Sequence, residues 1–138
     1  KRNPDTFFKT RSGLYVWDDF RSRVVAKASP IDAGAKFRIE RRDLIRDAKD
    51  SEVEGVLTNH LFEESAVCAV IAELISKQPN GKAGTLLNNG YANLFYTSSC
   101  VVCVGWRVYY RGWGVRAWRR GDRRWNAGSH VFSPATAA

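Results

Sequence analysis

Residues 100–132 alternate runs of β-branched and aromatic residues with two glycine-containing turns, and this pattern constrains the fold more than any other stretch. The runs are 101–110, 113–120 and 123–131, and the turns are Arg111-Gly112 and Gly121-Asp122. Tight two-residue loops join strands that lie side by side and antiparallel. The segment therefore reads as a three-stranded meander. A strand beginning at Leu94-Phe95-Tyr96 follows the turn signal Asn88-Asn89-Gly90, and residues 36–40 alternate as another strand with Phe37 and Ile39 inward.

Helical signals lie upstream. Residues 62–77 place Val67, Val70, Ile71, Leu74 and Ile75 at i, i+3, i+4 spacing, with Glu63 and Glu64 at the dipole-favoured end. Pro79-Asn80-Gly81 ends that helix. Phe20, Val24 and Val25 share a stripe that predicts a helix over 18–26, capped by Asp18 or Asp19. Ser51 and Glu54 have capping-box spacing and predict a short helix through Leu57. Residues 1–13 read as an extended lead-in and 134–138 as a flexible tail. The expectation is one α+β domain: an antiparallel four- to five-stranded sheet with two or three helices packed on one face. A chain of 138 residues with 44% hydrophobic content is long enough to bury such a core.

The turns set a register. With Arg111-Gly112 as the loop, Tyr110 opposes Trp113. Val104, Trp106, Val108, Tyr110, Trp113, Val115 and Ala117 then share the face turned to the helices. The second turn sets Trp118 opposite Trp125 and Arg120 opposite Arg123, with Trp118 across from Gly105. The outer face carries Arg107, Tyr109, Arg116, Trp118, Arg120, Arg123 and Trp125.

Charge concentrates on the same segment. The chain carries +8 overall, but residues 97–138 hold 7 arginines against the single acid Asp122, a net of +6. Guanidinium groups pair with phosphate and flat rings stack on bases, so this outer face suits single-stranded nucleic acid. Tryptophan, tyrosine and arginine also dominate protein interfaces. As ordinary structure, outer arginines keep a sheet from pairing edge to edge. The preferred expectation is a non-catalytic binding protein that self-associates as a homodimer through this face or its edge. Nucleic-acid binding by the same residues is the alternative.

Chemistry-bearing constellations are sparse. Cys100 and Cys103 point to opposite faces of a strand, so neither a disulfide nor a zinc site with His60 or His130 is expected. An odd set of three cysteines reads as buried thiols in a reducing cytoplasm. The adjacent pairs Asp18-Asp19 and Glu63-Glu64 point in different directions on a helix. Residues 81–85 have glycines and a lysine but lack the strand-to-helix context of a phosphate loop. No catalytic residue, cofactor or metal is expected. A third reading, a small-molecule or enzyme cleft, rests on Asn88, Asn93 and His130 beside the sheet. No apolar run reaches the ~18 residues needed to span a membrane.

The stretches LLNNGYANLFY, residues 86–96, and WNAGSHVFSP, residues 125–134, resemble small orphan proteins carried on bacterial mobile elements such as integron gene cassettes. The resemblance covers about twenty residues and implies no activity, cofactor or catalytic residue.

Overall fold

A computed structural model describes residues 2–32 and 34–135. The elements in chain order are α1 (Pro4–Phe7), β1 (Leu14–Val16), α2 (Asp18–Arg23), β2 (Ile39–Asp43), β3 (Ala48–Lys49), α3 (Asp50–Leu57), α4 (Glu64–Ser76), β4 (Asn93–Tyr96), β5 (Cys100–Arg107), β6 (Gly112–Arg119), β7 (Arg124–Trp125) and β8 (His130–Pro134). Short 3-10 turns follow α2 and α4 at Val25–Lys27 and Pro79–Gly81.

The fold is α+β, as expected, but the sheet is larger and mixed. Six strands run in the order β1-β6-β5-β4-β8-β2, and β3 and β7 form a separate two-stranded sheet. The β4–β5, β5–β6 and β2–β8 pairs are antiparallel, while β1–β6 and β4–β8 are parallel.

The expected meander ends at its second strand. After Arg119 the chain leaves the sheet, pairs Arg124-Trp125 with Ala48-Lys49, and returns beyond β4 as β8. The cause is Asp50. Its fully buried carboxylate accepts the backbone N–H groups of Gly121 and Arg123, each at 3.3 Å, and the Trp125 indole N–H at 2.8 Å. The two backbone N–H groups are thereby unavailable to a third hairpin strand.

The register of the first hairpin also differs. Trp106 faces Trp113, and Arg107 faces Gly112, so the loop is the four residues 108–111. Tyr110 N–H bonds the Arg107 carbonyl and Arg111 N–H bonds that of Val108, which coils the loop tightly. Gly112 belongs to the strand, and a Cβ there would sit 3.0 Å from the Gly13 carbonyl carbon at the entry to β1, so the close approach of the two strands requires glycine. The shift moves the partner of Trp113 by four residues, an even number, so the two faces keep their side chains. Val108 and Tyr110 leave the inner face and stand exposed at the tip. Trp118 now faces Val101, and Gly105 faces Gly114.

Both faces of the sheet are covered, which corrects the one-sided arrangement. On one side Val102, Val104, Trp113, Val115 and Phe132 pack against Phe20 of α2 and Val67, Ile71 and Leu74 of α4. On the other, Leu94, Tyr96, Val101, Cys103 and Val131 pack against Val53 and Leu57 of α3 and Trp125 of β7. The unbroken apolar run CVVCV in β5 is what a strand buried on both faces requires.

Other expectations move by a few residues. Residues 1–13 contain α1, stapled by Asn3 accepting from the Asp5 N–H, and Phe8 is fully buried, so this stretch is not an extended lead-in. The helix expected over 18–26 ends at Arg23 and tightens into the 3-10 turn. Trp17, not an aspartate, holds its N-cap position, and Asp18 and Asp19 lie in its first turn. The α3 box closes two positions early, with Glu52 accepting from the Lys49 N–H at 3.0 Å. The strand expected over 36–40 begins at Ile39, which leaves Phe37 exposed. Pro134 lies in β8 and Ala135 N–H bonds the Arg38 carbonyl, whereas 136–138 of the expected tail lie outside the described residues.

Candidate functional site

The outer-face residues separate into three groups. Trp118, Arg116, Arg123 and Arg107 form a ladder with a ring that the sequence did not suggest, Trp17. The Arg107 guanidinium lies 5.2 Å from the Trp17 ring centre and that of Arg116 lies 5.3 Å from it. Arg116 also lies 4.5 Å from the Trp118 ring, and Arg123 lies 4.1 Å from it. Trp17 reaches this row because β1 pairs parallel to β6, and its own N–H bonds the Val115 carbonyl at 3.1 Å. Arg116 is steered by the Asp19 carboxylate at 3.1 and 3.2 Å, whose second oxygen accepts the Ala117 N–H.

Trp125 is a wall of the site. It is 8% exposed, its ring stands 5.6 Å from that of Trp118 at 56°, and its N–H is held by Asp50. The expected Trp118–Trp125 neighbourhood exists, but it is made across two sheets and not across a hairpin.

Arg120 and Tyr109 stand apart. Arg120 turns to α3, pairing with Glu54 and donating to the carbonyls of Thr97 and Ser98 at 3.0 and 3.1 Å. Tyr109, 93% exposed at the hairpin tip, touches the neighbouring ring of Tyr110 edge-on.

Two depressions flank Trp118. One is a cleft of about 280 Å³ between Tyr91, Trp118 and Trp125, with Cys103, Gly105 and the backbone of Trp106 beneath, the Trp106 ring lying on the other face of the sheet against Trp113. The other, about 600 Å³ and open to solvent, is ringed by Arg23, Arg119, Arg123 and Arg124. Trp118 and Arg124 border both, and neither lining contains a carboxylate among the described residues. Most nearby arginines elsewhere are committed: Arg21 to Asp5, Arg41 to Asp43, Arg116 to Asp19, Arg120 to Glu54. Among the described residues, no carboxylate pairs with Arg107, Arg119, Arg123 or Arg124.

The residues of the suggested polar cleft do other work. The Asn93 amide is fully buried, accepting from the Leu87 N–H at 2.8 Å and donating to the carbonyls of Leu87 and Val104. Asn88 donates to the Gly81 carbonyl at 2.9 Å. His130 neighbours Asn93 across β4–β8 and places Nε2 3.3 Å from Asp43. Burial, reinforced by Arg41, holds its pKa below the ordinary histidine value. The two asparagines serve strand and loop closure.

The thiols are unreactive by environment. Cys100 and Cys103 are buried on opposite faces of β5, in separate cores, and all three cysteines are unpaired. Burial pushes the Cys103 thiol up to about 12 although Arg107, Arg116 and Arg123 pull the other way. Burial does the same to Cys68, also to about 12. A thiol held neutral is a poor nucleophile.

Comparison with known proteins gives no match: no protein-family model fits the sequence, and no curated protein or solved structure is similar to it. Among the described residues no helix is long and apolar enough to cross a membrane.

Proposed function

We propose that this protein binds single-stranded nucleic acid along the arginine- and tryptophan-lined surface around Trp118. The observation that carries the reading is the half-buried Trp118 ring standing between two carboxylate-free depressions bordered by Arg107, Arg119, Arg123 and Arg124. Arginines without carboxylate partners leave a local field open to phosphate, and an aromatic ring face stacks on any base. Self-association through this face is disfavoured, because a two-fold contact would set the same unpaired arginines against their own copies.

The test is equilibrium binding of a fluorescein-labelled thymidine decamer, followed by anisotropy and by quenching of the protein's tryptophan emission. Affinity should fall as salt rises, with a log–log slope of about −2 to −3 for three or four phosphate contacts. Trp118→Ala should weaken binding about fivefold or more, from a stacking loss of about 1–3 kcal/mol. Absence of both anisotropy change and quenching at low salt would remove the proposal.

Self-association keeps a second, separate location. Ile45 and Val56 are 92% and 60% exposed and sit over an apolar groove with Leu44, Ala48 and Val53. Its border carries both Arg42 and Arg46 and both Asp43 and Glu52, a mixed set that can pair with itself across a two-fold axis. Light scattering distinguishes the states: a two-chain mass that Ile45→Asp reduces to one supports it, and a one-chain mass at high micromolar concentration removes it.

A further inference from the structure

We propose that the cleft over Gly105 receives one nucleobase of the bound strand, turned out of the stack, and that the arginine-ringed depression beyond Trp118 carries the adjoining phosphates. This inference rests on the nucleic-acid reading and adds a specific subsite to it.

Three features shape the cleft for a flat heterocycle. The first is its floor. Glycine inside a strand marks a place where a ligand comes close to the backbone. At Gly105 a Cβ would meet no atom within 4 Å, so the space above the strand is open. The second is its walls. Tyr91, Trp118 and Trp125 offer aromatic surface around a volume of about 280 Å³, near the lower end, about 300 Å³, of small-molecule sites. A single base with part of its sugar fits within that volume. Tyr91 is held at the rim by Gly128, whose φ of +95° brings its backbone so close that a Cβ would lie 3.1 Å from the tyrosine ring. The third is free polarity. Among the described residues the Asn126 amide and the Ser129 hydroxyl make no side-chain hydrogen bond, and both residues line the cleft. An amide presents a donor and an acceptor together, the pairing that base edges recognise.

The charges fit the same occupant. Arg107 and Arg124 border the cleft, and Arg124 continues into the second depression with Arg119 and Arg123. A base seated over Gly105 thus leaves its backbone beside guanidinium groups on the Trp118 side. A neutral aromatic metabolite would leave those cations unused, and an acidic peptide would leave the ring-lined slot unused.

The experiment compares a thymidine decamer with an all-abasic decamer of equal length and charge, on wild type, Gly105→Leu and Asn126→Ala. Gly105→Leu fills the open space and leaves every arginine in the chain. The ratio of the two affinities isolates what the bases contribute. In Gly105→Leu that ratio should fall about tenfold, as the removal of one stacked base implies, while the salt slope stays unchanged. Asn126→Ala removes an exposed side chain with no internal partner, so folding is not in question. It should alter the affinity ranking among the four homodecamers. If wild type binds the thymidine decamer but both variants keep its ratio and its ranking, the base subsite is wrong and the surface reading stands. If wild type binds neither decamer at low salt, both fall.

Discussion

The Asp50 carboxylate accepts the Trp125 indole N–H at 2.8 Å and, on the same oxygen, the Tyr96 hydroxyl at 2.6 Å. Its other oxygen accepts two backbone N–H groups of the loop after β6. One buried charge, satisfied by four donors, thereby ties α3 to the wall of the cleft and to the segment bearing Arg123. Charge-assisted hydrogen bonds of this kind are the strong ones.

Asp50→Ala should therefore destabilise the fold by about 3 kcal/mol or more, since it strands buried donors at about 1–3 kcal/mol each. Tyr96→Phe removes a single donor and should cost less, about 1 kcal/mol. Urea unfolding monitored by far-ultraviolet circular dichroism checks the order. A smaller effect for Asp50→Ala than for Tyr96→Phe would contradict the role given to the carboxylate.

Neutralising Arg119, Arg123 and Arg124 together with glutamine should lower the magnitude of the salt slope by about 2, since each phosphate of a single strand left unneutralised takes about 0.7 from it. Arg120→Gln should leave the slope unchanged, because Arg120 is occupied by Glu54 and two carbonyls. It should instead cost stability, by weakening the tie between β6 and α3. Decamer binding at four salt concentrations separates the two variants.

Alkaline stability should be limited. Cys68 and Cys103 are held neutral in the fold, at about 12 against an unfolded value of 9.0. Their folded pKa values are raised, so the stability they contribute is complete below pH 9 and is lost as pH climbs from 9 towards 12. The buried Tyr96, raised by desolvation and by Asp50, adds to the same decline. Thermal melts between pH 8 and 11 should show a falling Tm, and Cys103→Val should flatten the fall. In native protein at pH 8 the three thiols should resist alkylation, and all three should react in guanidinium.

Acid should also destabilise the fold below neutrality. His130 is depressed by burial, so the unfolded chain takes up the proton more readily as pH drops below 6.5, and stability falls with it. His130→Asn should remove part of that dependence. Identical Tm-versus-pH curves for wild type and variant between pH 5 and 7 would exclude the effect.

Legibility of the fold depends on whether a signal is local. The 62–77 stripe marks α4 to within two residues at its start, and the period-two alternation of β5 and β6 survives a four-residue shift of register because the shift is even. The Cys100/Cys103 divergence also follows from that period. Non-local facts are invisible. Nothing near Trp17 announces that residues 14–16 lie parallel to β6, so its place between Arg107 and Arg116 cannot be read from the chain. Asp50 reads as an ordinary acid ahead of a helix, and only its burial exposes why the chain turns away at Gly121. One signal is present and usable: CVVCV has no polar alternation, so both faces of β5 have to be covered. Within the site, Trp118, Arg107, Arg116 and Arg123 are legible as outer-face residues. Trp125, Arg120 and Tyr109 share their composition but not their surroundings.

The position of β8 bears on how the molecule is made. It is the last of the described strands to leave a ribosome, yet it sits inside the sheet, between β4 and β2. Strand β2 is synthesised far earlier and has no other partner in that sheet. Until β8 emerges, β2 has nothing to pair with, and one side of β4 stays open to any passing strand. Assembly of this half of the sheet thus waits for β8 by topology, and such long-range closure is slow and exposes edges to aggregation. A nascent chain arrested before His130 would present two unmatched strand edges to its neighbours on the polysome.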